Sequence, residues 1–261
     1  MFQTSVLASG SKGNCILIRT GNTKILLDAG LSGKKISELI NKRNLNEQKI
    51  KALIISHEHS DHVSSAGIIC RKYKIPLYIS RKTYMVSRYR LGKLPIEPVF
   101  FNSGDSFKID DITVNSFSSS HDVVDGSNFI FKRDNDDQSK LAVATDLGYS
   151  SRLMIEKFRD STTIILESNH DEKMLLKGPY PWNLKQRVKS REGHLSNNQA
   201  VGVISQVIHP NLKNLILAHL SEQNNTPSLA EDLMQAYLNM INHSLNLYIS
   251  EQFTPTPLVD I

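Results

Sequence analysis

An α/β layered domain, with two sheets packed face to face and helices outside them, is the fold class this sequence predicts, and three observations predict it. Short apolar runs of strand length and composition recur along the chain, among them Ala52 to Ser56, Thr163 to Leu166 and Leu215 to Ala218. Segments of helical periodicity separate them. Each half of the chain also runs from a set of strands into strand-helix units, with no Pro/Gly/Ser-rich linker and no repeat between the halves, so a single domain over residues 1–261 is expected.

Phe2 to Leu7, Cys15 to Arg19 and Lys24 to Leu27 have strand character, the last two joined across the Gly21-Asn22 turn, and together predict a three-stranded meander that ends at Asp28-Ala29-Gly30. Ile36, Leu39 and Ile40 then share a helical face ahead of the Ala52 to Ser56 strand. Ile68, Ile69 and Tyr73 predict a second helix, and Pro76 to Ile79 a short strand. From Val99 to Val143 the pattern turns to short strands, at Ile112 to Phe117, Asn128 to Phe131 and Leu141 to Val143, with Asp134 to Asp137 as a hairpin loop. Two later helices announce their own starts. Ser196-Asn197-Asn198-Gln199 has the form of a capping box, and Thr226-Pro227 supplies an N-cap followed by proline at the first helical position.

The composition is that of a globular chain, 39% hydrophobic and 22% charged, and excludes collagen-like or low-complexity character. Met1 to Ser5 shows no basic patch before an apolar run, and no stretch reaches the length of a membrane span; a cytoplasmic protein with no membrane partner is expected. Cys15 and Cys70 have no ligand spacing and are expected reduced and buried. The net charge of +5 favours an anionic partner.

The chemistry starts at His57-Glu58-His59-Ser60-Asp61-His62, which emerges from the apolar run Ala52 to Ser56. Imidazole and carboxylate ligands suit zinc, manganese or iron, and four of them within six residues exceed what one tetrahedral ion uses. Two neighbouring divalent metal ions are the natural inference. Glu58 and Ser60 read as scaffolding. Further candidate ligands follow strand-like runs: His121, Asp146, His219 and, less strongly signalled, His170.

In that order, His57-x-His59-x-Asp61-His62, His121, Asp146-Leu147-Gly148 and His219 resemble the metallo-β-lactamase superfamily over nearly the whole chain. The resemblance implies a four-layered αβ/βα sandwich with a dinuclear site at one sheet edge. His57, His59 and His121 would hold one metal, Asp61, His62 and His219 the other, and Asp146 would bridge them. Asp28 matches an aspartate that supports the ligand loop. Ala8 to Asn14, Leu166 to Asp171 and Gly193 to Asn197 look like the bacterial YycJ (WalJ) group of phosphodiester-cleaving exonucleases, although His121 to Gly126 departs from the group's usual His-Asp-Ala-x-Asp-Pro run. Glu167 with His194 is similar to a pair in ribonuclease Z whose histidine donates a proton. Only 24 residues separate His121 from Asp146, too few for that enzyme's tRNA-gripping arm there.

The function so implied is two-metal phosphodiester hydrolysis, most directly a DNA exonuclease working 5′ to 3′. Two cations, Zn²⁺ or Mn²⁺ with iron as a third possibility, would lower the pKa of a bridging water from about 16 toward 7, giving a hydroxide nucleophile. Asp61, His194 and Glu167 would carry catalysis. Ser9, Ser11 and Asn14, in a Gly-x-x-Gly loop, and His170 would contact substrate, and the alternating Lys185, Arg187, Lys189 and Arg191 would suit a nucleic-acid backbone. The competing readings are a small-molecule hydrolase, acting on a cyclic nucleotide or a thioester, and a non-catalytic metal-dependent regulator; a ribonuclease ranks behind DNA cleavage.

Overall fold

The computed structural model describes residues 1–42 and 50–261. In chain order the elements of the first half are β1 (Phe2–Ala8), β2 (Cys15–Thr20), β3 (Lys24–Leu27), α1 (Gly33–Asn41), β4 (Ile50–Ile54), α2 (Ser60–Val63), α3 (Ala66–Tyr73), β5 (Leu77–Ser80), α4 (Arg81–Leu91) and β6 (Val99–Phe101). The second half supplies β7 (Ser106–Ile109), β8 (Ile112–Ser118), β9 (Ser127–Arg133), β10 (Lys140–Ala144), α5 (Arg152–Phe158), β11 (Thr163–Glu167), α6 (Glu172–Lys177), α7 (Trp182–Lys189), α8 (Asn197–Val207), β12 (Asn214–Ala218), α9 (Pro227–Met240), β13 (Asn246–Ile249) and β14 (Val259–Asp260).

Among the described residues these strands form two seven-stranded sheets, ordered β14-β1-β2-β3-β4-β5-β6 and β13-β12-β11-β10-β9-β8-β7. The apolar runs are near-continuous because both faces of each central strand are covered. In β11, Ile165 points into the space between the sheets while Ile164 and Leu166 point outward; β12 repeats this with Ile216 and Ala218 inward and Leu215 and Leu217 outward. Three apolar clusters result. One lies between the sheets, around Ile18, Ile54, Phe129 and Phe131. The second joins the first sheet to α1 and α3, and the third joins the second sheet to α5, α8 and α9. This is the four-layered sandwich the sequence predicts, and each wholly buried Leu or Ile contributes about 1.5–3 kcal/mol toward it.

Both signalled helix starts are present. Ser196 Oγ accepts from Gln199 N at 3.2 Å while Gln199 Oε1 accepts from Ser196 N at 2.8 Å, and Thr226 Oγ1 accepts from Leu229 N at 3.2 Å. Cys15 and Cys70 are buried free thiols. Several elements carried no usable sequence signal: α4 to α7, β7, β13 and β14 are short, or polar on most of their surface. Among the described residues no helix is long and apolar enough to cross a membrane.

What positions the site is strand direction. β3, β4 and β5 run parallel in the first sheet, and β10, β11 and β12 run parallel in the second. Parallel strands release their C-terminal loops at one edge, where ligands gather in α/β folds. Asp28 follows β3, His57 follows β4, Asp146 follows β10, and His219 follows β12. Glu167 is the last residue of β11.

Candidate metal centre

Three of these strand exits use a left-handed backbone. Asp28, Asp146 and His219 have φ of 64°, 56° and 57°, which turns each side chain sharply off its strand toward the sheet edge. Asp and His tolerate this region better than most residues, and such strain collects at functional sites. The His57 to His62 loop is seated by backbone contacts: Asn14 N and Ala29 N each donate, at 2.7 Å, to the carbonyls of Asp61 and His62. Gly30 permits that approach, since a Cβ there would stand 1.6 Å from Asp61 O.

The structure brings the seven expected ligands into two adjacent groups, His57, His59 and His121, and Asp61, His62, Asp146 and His219; within each group the ligand atoms lie within 4.8 Å of one another. The ring centroids of His57 and His59 are 4.8 Å apart, and those of His59 and His121 5.1 Å. Four of the five imidazoles share one arrangement. Nδ1 of His62 meets Asp28 Oδ2 at 2.8 Å, Nδ1 of His57 meets Ser56 Oγ at 3.0 Å, Nδ1 of His121 meets the Gly193 carbonyl at 3.0 Å, and Nδ1 of His219 meets Glu167 Oε1 at 2.9 Å. Engaging Nδ1 from outside fixes the tautomer and turns Nε2 inward, as metal-ligating histidines require. Asp28, expected as a supporting aspartate, thus lies behind His62. It also accepts from Ser56 N and Ser56 Oγ, both at 2.8 Å, so the hydroxyl proton is committed and Ser56 Oγ is left to accept from His57.

These donors fit divalent cations. His57 Nε2 and His219 Nε2 are buried with no hydrogen-bond partner, a cost of about 1–3 kcal/mol each unless something ligates them. The electrostatics agree. Burial opposes ionisation of Asp61, but His62 and His219 outweigh it and hold the carboxyl well below its usual range. Burial likewise opposes charge on His219, yet Asp146, Asp61 and Glu167 push it up to about 10, so the cluster draws in positive charge. His57, by contrast, is driven far below its ordinary value by burial and then by His62, and stays neutral, the form that can ligate a metal.

Glu167, wholly buried, closes the site on the second sheet. Its Oε1 accepts from His194 at 2.7 Å as well as from His219, and its Oε2 accepts from Leu147 N at 3.1 Å and Leu195 N at 3.0 Å. Burial raises its pKa, but the two imidazoles bring it down to about 2. The pairing with His194 is visible in the sequence motifs; the second bond, to His219, is not.

A cleft of about 330 Å³ opens over these groups, lined by Ser11, His59, Asp61, His121, Asp146, His194 and His219. Ser11 is thus at the cleft, as expected. Ser9 and Asn14 do not line this cleft: Ser9 Oγ accepts from His219 N at 2.8 Å, and Asn14 Oδ1 accepts from Gly10 N at 2.9 Å while its Nδ2 lies 2.9 Å from His62 Nε2. Their polar atoms hold the loops that carry His219 and His62. His170 is 2% exposed and does not line the cleft; burial lowers its pKa to about 4. Its neighbour Asn169 lines the cleft instead, with Nδ2 donating to the His219 carbonyl at 2.8 Å.

The proposed basic track is also corrected. Residues 182–189 form helix α7, so alternate positions diverge around its axis. Lys185 is buried with Nζ on the Leu176 carbonyl at 2.8 Å, and Arg191 stacks on Tyr149 at 4.0 Å. Arg187 alone of the four reaches the cleft, held by Asp122 Oδ2 at 2.6 Å. Tyr180 and Ser221 line it too. Both come from loops without sequence signal and could not have been found from spacing.

A sequence model of the metallo-beta-lactamase superfamily matches residues 8–126. The chain is 40% identical over 227 residues to a Bacillus anthracis protein named exodeoxyribonuclease YycJ, covering 87% of this chain and 85% of that one. It is 37% identical to exodeoxyribonuclease WalJ of Streptococcus pneumoniae, covering all of this chain and 98% of the relative. Among solved structures, the metallo-beta-lactamase fold protein YhfI from Bacillus subtilis superposes with a TM-score of 0.73 at 16% identity, over 98% of this chain and 99% of that one, a likeness of fold alone. The His/Asp clusters gathered at one edge of the paired sheets and the length of these matches have one reading: the chain belongs to the metallo-beta-lactamase superfamily, beside the YycJ/WalJ proteins, and is a metal-dependent hydrolase.

Proposed function

We propose that this hydrolase cleaves phosphodiester bonds of DNA, exonucleolytically from the 5′ end, with two divalent ions, Zn²⁺ or Mn²⁺, as cofactors. The observation that carries the reading is Glu167: one buried carboxylate oxygen holds both a ligand imidazole, His219, and a cleft-facing imidazole, His194, at hydrogen-bond distance. Hydrolysis of a phosphodiester has to protonate a departing alkoxide, and an imidazole held beside the expected ligands supports that role for His194. The names of the relatives support DNA as the polymer.

In this reading His57, His59 and His121 would hold one ion and Asp61, His62 and His219 the other, and Asp146 would contribute to both. When bound, such ions supply Lewis acidity, making water acidic enough to ionise near neutral pH and neutralising charge on a phosphate. Asp61, ionised because His62 and His219 outweigh burial, orients the attacking water through a hydrogen bond. His194 donates its Nε2 proton to the leaving oxygen while Glu167 keeps Nδ1 fixed, a contribution of about 10²- to 10⁴-fold. Ser11 and Arg187 meet the phosphate at the cleft mouth.

The test is digestion of end-labelled duplex and single-stranded DNA and RNA by protein of known metal content. Progressive shortening of DNA from its 5′ end is expected. Failure to cut either polymer with any metal, alongside hydrolysis of bis(p-nitrophenyl) phosphate or a thioester, would move the protein to the small-molecule hydrolases.

A further inference from the structure

Residues 81–93 carry five basic side chains, Arg81, Lys82, Arg88, Arg90 and Lys93, and no acidic one, in a chain whose whole net charge is +5. Most of this stretch is helix α4, which packs inward through Thr83, Ser87 and Leu91. Its outer face is unusual for a surface helix. Tyr89 is 85% exposed, and Met85 and Val86 are each more than half exposed, between the cations. Arg81 stacks on Phe100 at 4.3 Å, and Arg88 donates to Tyr89 Oη at 3.1 Å, so two of the guanidiniums are held in place. Beside the helix lies a hollow of about 580 Å³ walled by Arg81, Lys82, Met85, Val86, Val124 and Asp125.

The hollow is tied to the metal centre through one short loop. Val124 and Asp125 come three and four residues after His121, and Val124 N donates at 2.8 Å to Glu58 Oε1, between His57 and His59. Thr83 Oγ1 on α4 donates to the Asp125 carbonyl at 3.3 Å. A chain lying along α4 therefore arrives at the ligand loop.

We infer that the outer face of α4 and this hollow form a docking track for a single strand of the nucleic acid being cut, several nucleotides from the scissile phosphate; the inference rests on the nuclease reading above. Arg81, Lys82 and Arg88 meet backbone phosphates, Tyr89 and Met85 give unpaired bases an apolar face to stack on, and Asp125 accepts from a base amino group in the hollow. Interleaved cations and aromatic faces are the requirement for gripping a single strand without sequence preference. A duplex keeps its bases stacked on each other and would leave Tyr89, Met85 and Val86 in water.

The test uses metal-loaded protein and a fluorescent, phosphorothioate-linked oligonucleotide that resists cleavage, with anisotropy read over a series of salt concentrations. The variant R81Q/K82Q/R88Q is expected to bind at least about tenfold more weakly and to show a log-affinity against log-salt slope smaller by about 2, near 0.7 per lost phosphate contact. Y89A should lose about fivefold or more on single-stranded DNA and nothing on inorganic polyphosphate. Hydrolysis of bis(p-nitrophenyl) phosphate should match wild type in both variants, which also reports that they fold. Wild-type affinity and slope in the triple variant would overturn the track while leaving the nuclease reading intact. A wild-type protein that cuts neither DNA nor RNA would overturn the nuclease reading instead. Tighter binding of phosphatidylglycerol vesicles than of DNA, lost in the same variants, would reassign the face to a membrane surface.

Discussion

Glu167 and His194 meet at 2.7 Å, Oε1 to Nδ1, and the same oxygen lies 2.9 Å from His219 Nδ1. One carboxylate thus joins the proposed proton donor to a proposed metal ligand, and the two proposed functions separate by substitution. His194→Ala should lower kcat on DNA by about 10²- to 10⁴-fold and leave bound metal at wild-type stoichiometry. On bis(p-nitrophenyl) phosphate, whose leaving group departs without a proton, the same variant should lose little. Glu167→Gln should impair both substrates and reduce metal content, because the neutral amide loses the charge that holds both imidazoles and has only one acceptor oxygen, so either the imidazoles or the amides of Leu147 and Leu195 face an NH2 donor. Metal analysis beside both assays checks this.

Asp28 acts from behind the ligands. It fixes His62 directly and His57 through Ser56. Asp28→Asn removes the charge and an acceptor, and metal affinity should fall about 10- to 100-fold, read by competition with a chromogenic chelator. Wild-type affinity would show that backbone geometry alone orients those rings.

Metal removal should cost stability as well as activity. The ligands converge in the folded state only, so each ion at about 100 times its dissociation constant adds about 2.7 kcal/mol. For a chain of this length that is about 5–10 °C in Tm. Calorimetry before and after chelation, with recovery on adding Mn²⁺ or Zn²⁺, measures it.

His170 predicts a pH dependence of stability. Burial holds it neutral, with its pKa lowered from 6.5 to about 4. Between those values the unfolded chain binds a proton that the native state refuses, so stability falls as pH falls. From pH 7 to pH 5 the loss from this group is about 2 kcal/mol. Urea titrations of chelated wild type and His170→Gln at both pH values should show a smaller acid loss in the variant.

Arg187 is the cation of α7 that reaches the cleft, and its pairing with Asp122 at 2.6 Å holds the guanidinium in place. Arg187→Gln should raise KM for DNA by about tenfold with kcat nearly unchanged, the loss of one charge-assisted contact. Arg187→Lys should restore only part of the loss, because an ammonium lacks the planar fork. Steady-state kinetics on a single DNA substrate distinguishes the three proteins.

The sequence by itself determined the layered fold, the strand runs that build it and the types of the candidate ligands, because those follow from local quantities; which strands run parallel, and in what order, came from the structure. Apolar runs mark strands buried on both faces, Ser196 with Gln199 and Thr226 with Pro227 mark helix starts, and His57 to His62 sits in one loop. Tertiary structure alone decided how side chains are spent. Ser9 and Asn14 look available in the sequence but hold His219 and the ligand loop, and His170 turns out buried away from the cleft. Four alternating cations near His194 read as a track until a helix scattered them, while the basic, aromatic face of α4, which no spacing marks, lies open beside the ligand loop. Hydrogen-bond partnership and exposure depend on what the chain brings alongside from far away, as when Glu167, wholly buried, takes two imidazoles and two backbone amides onto a single carboxylate.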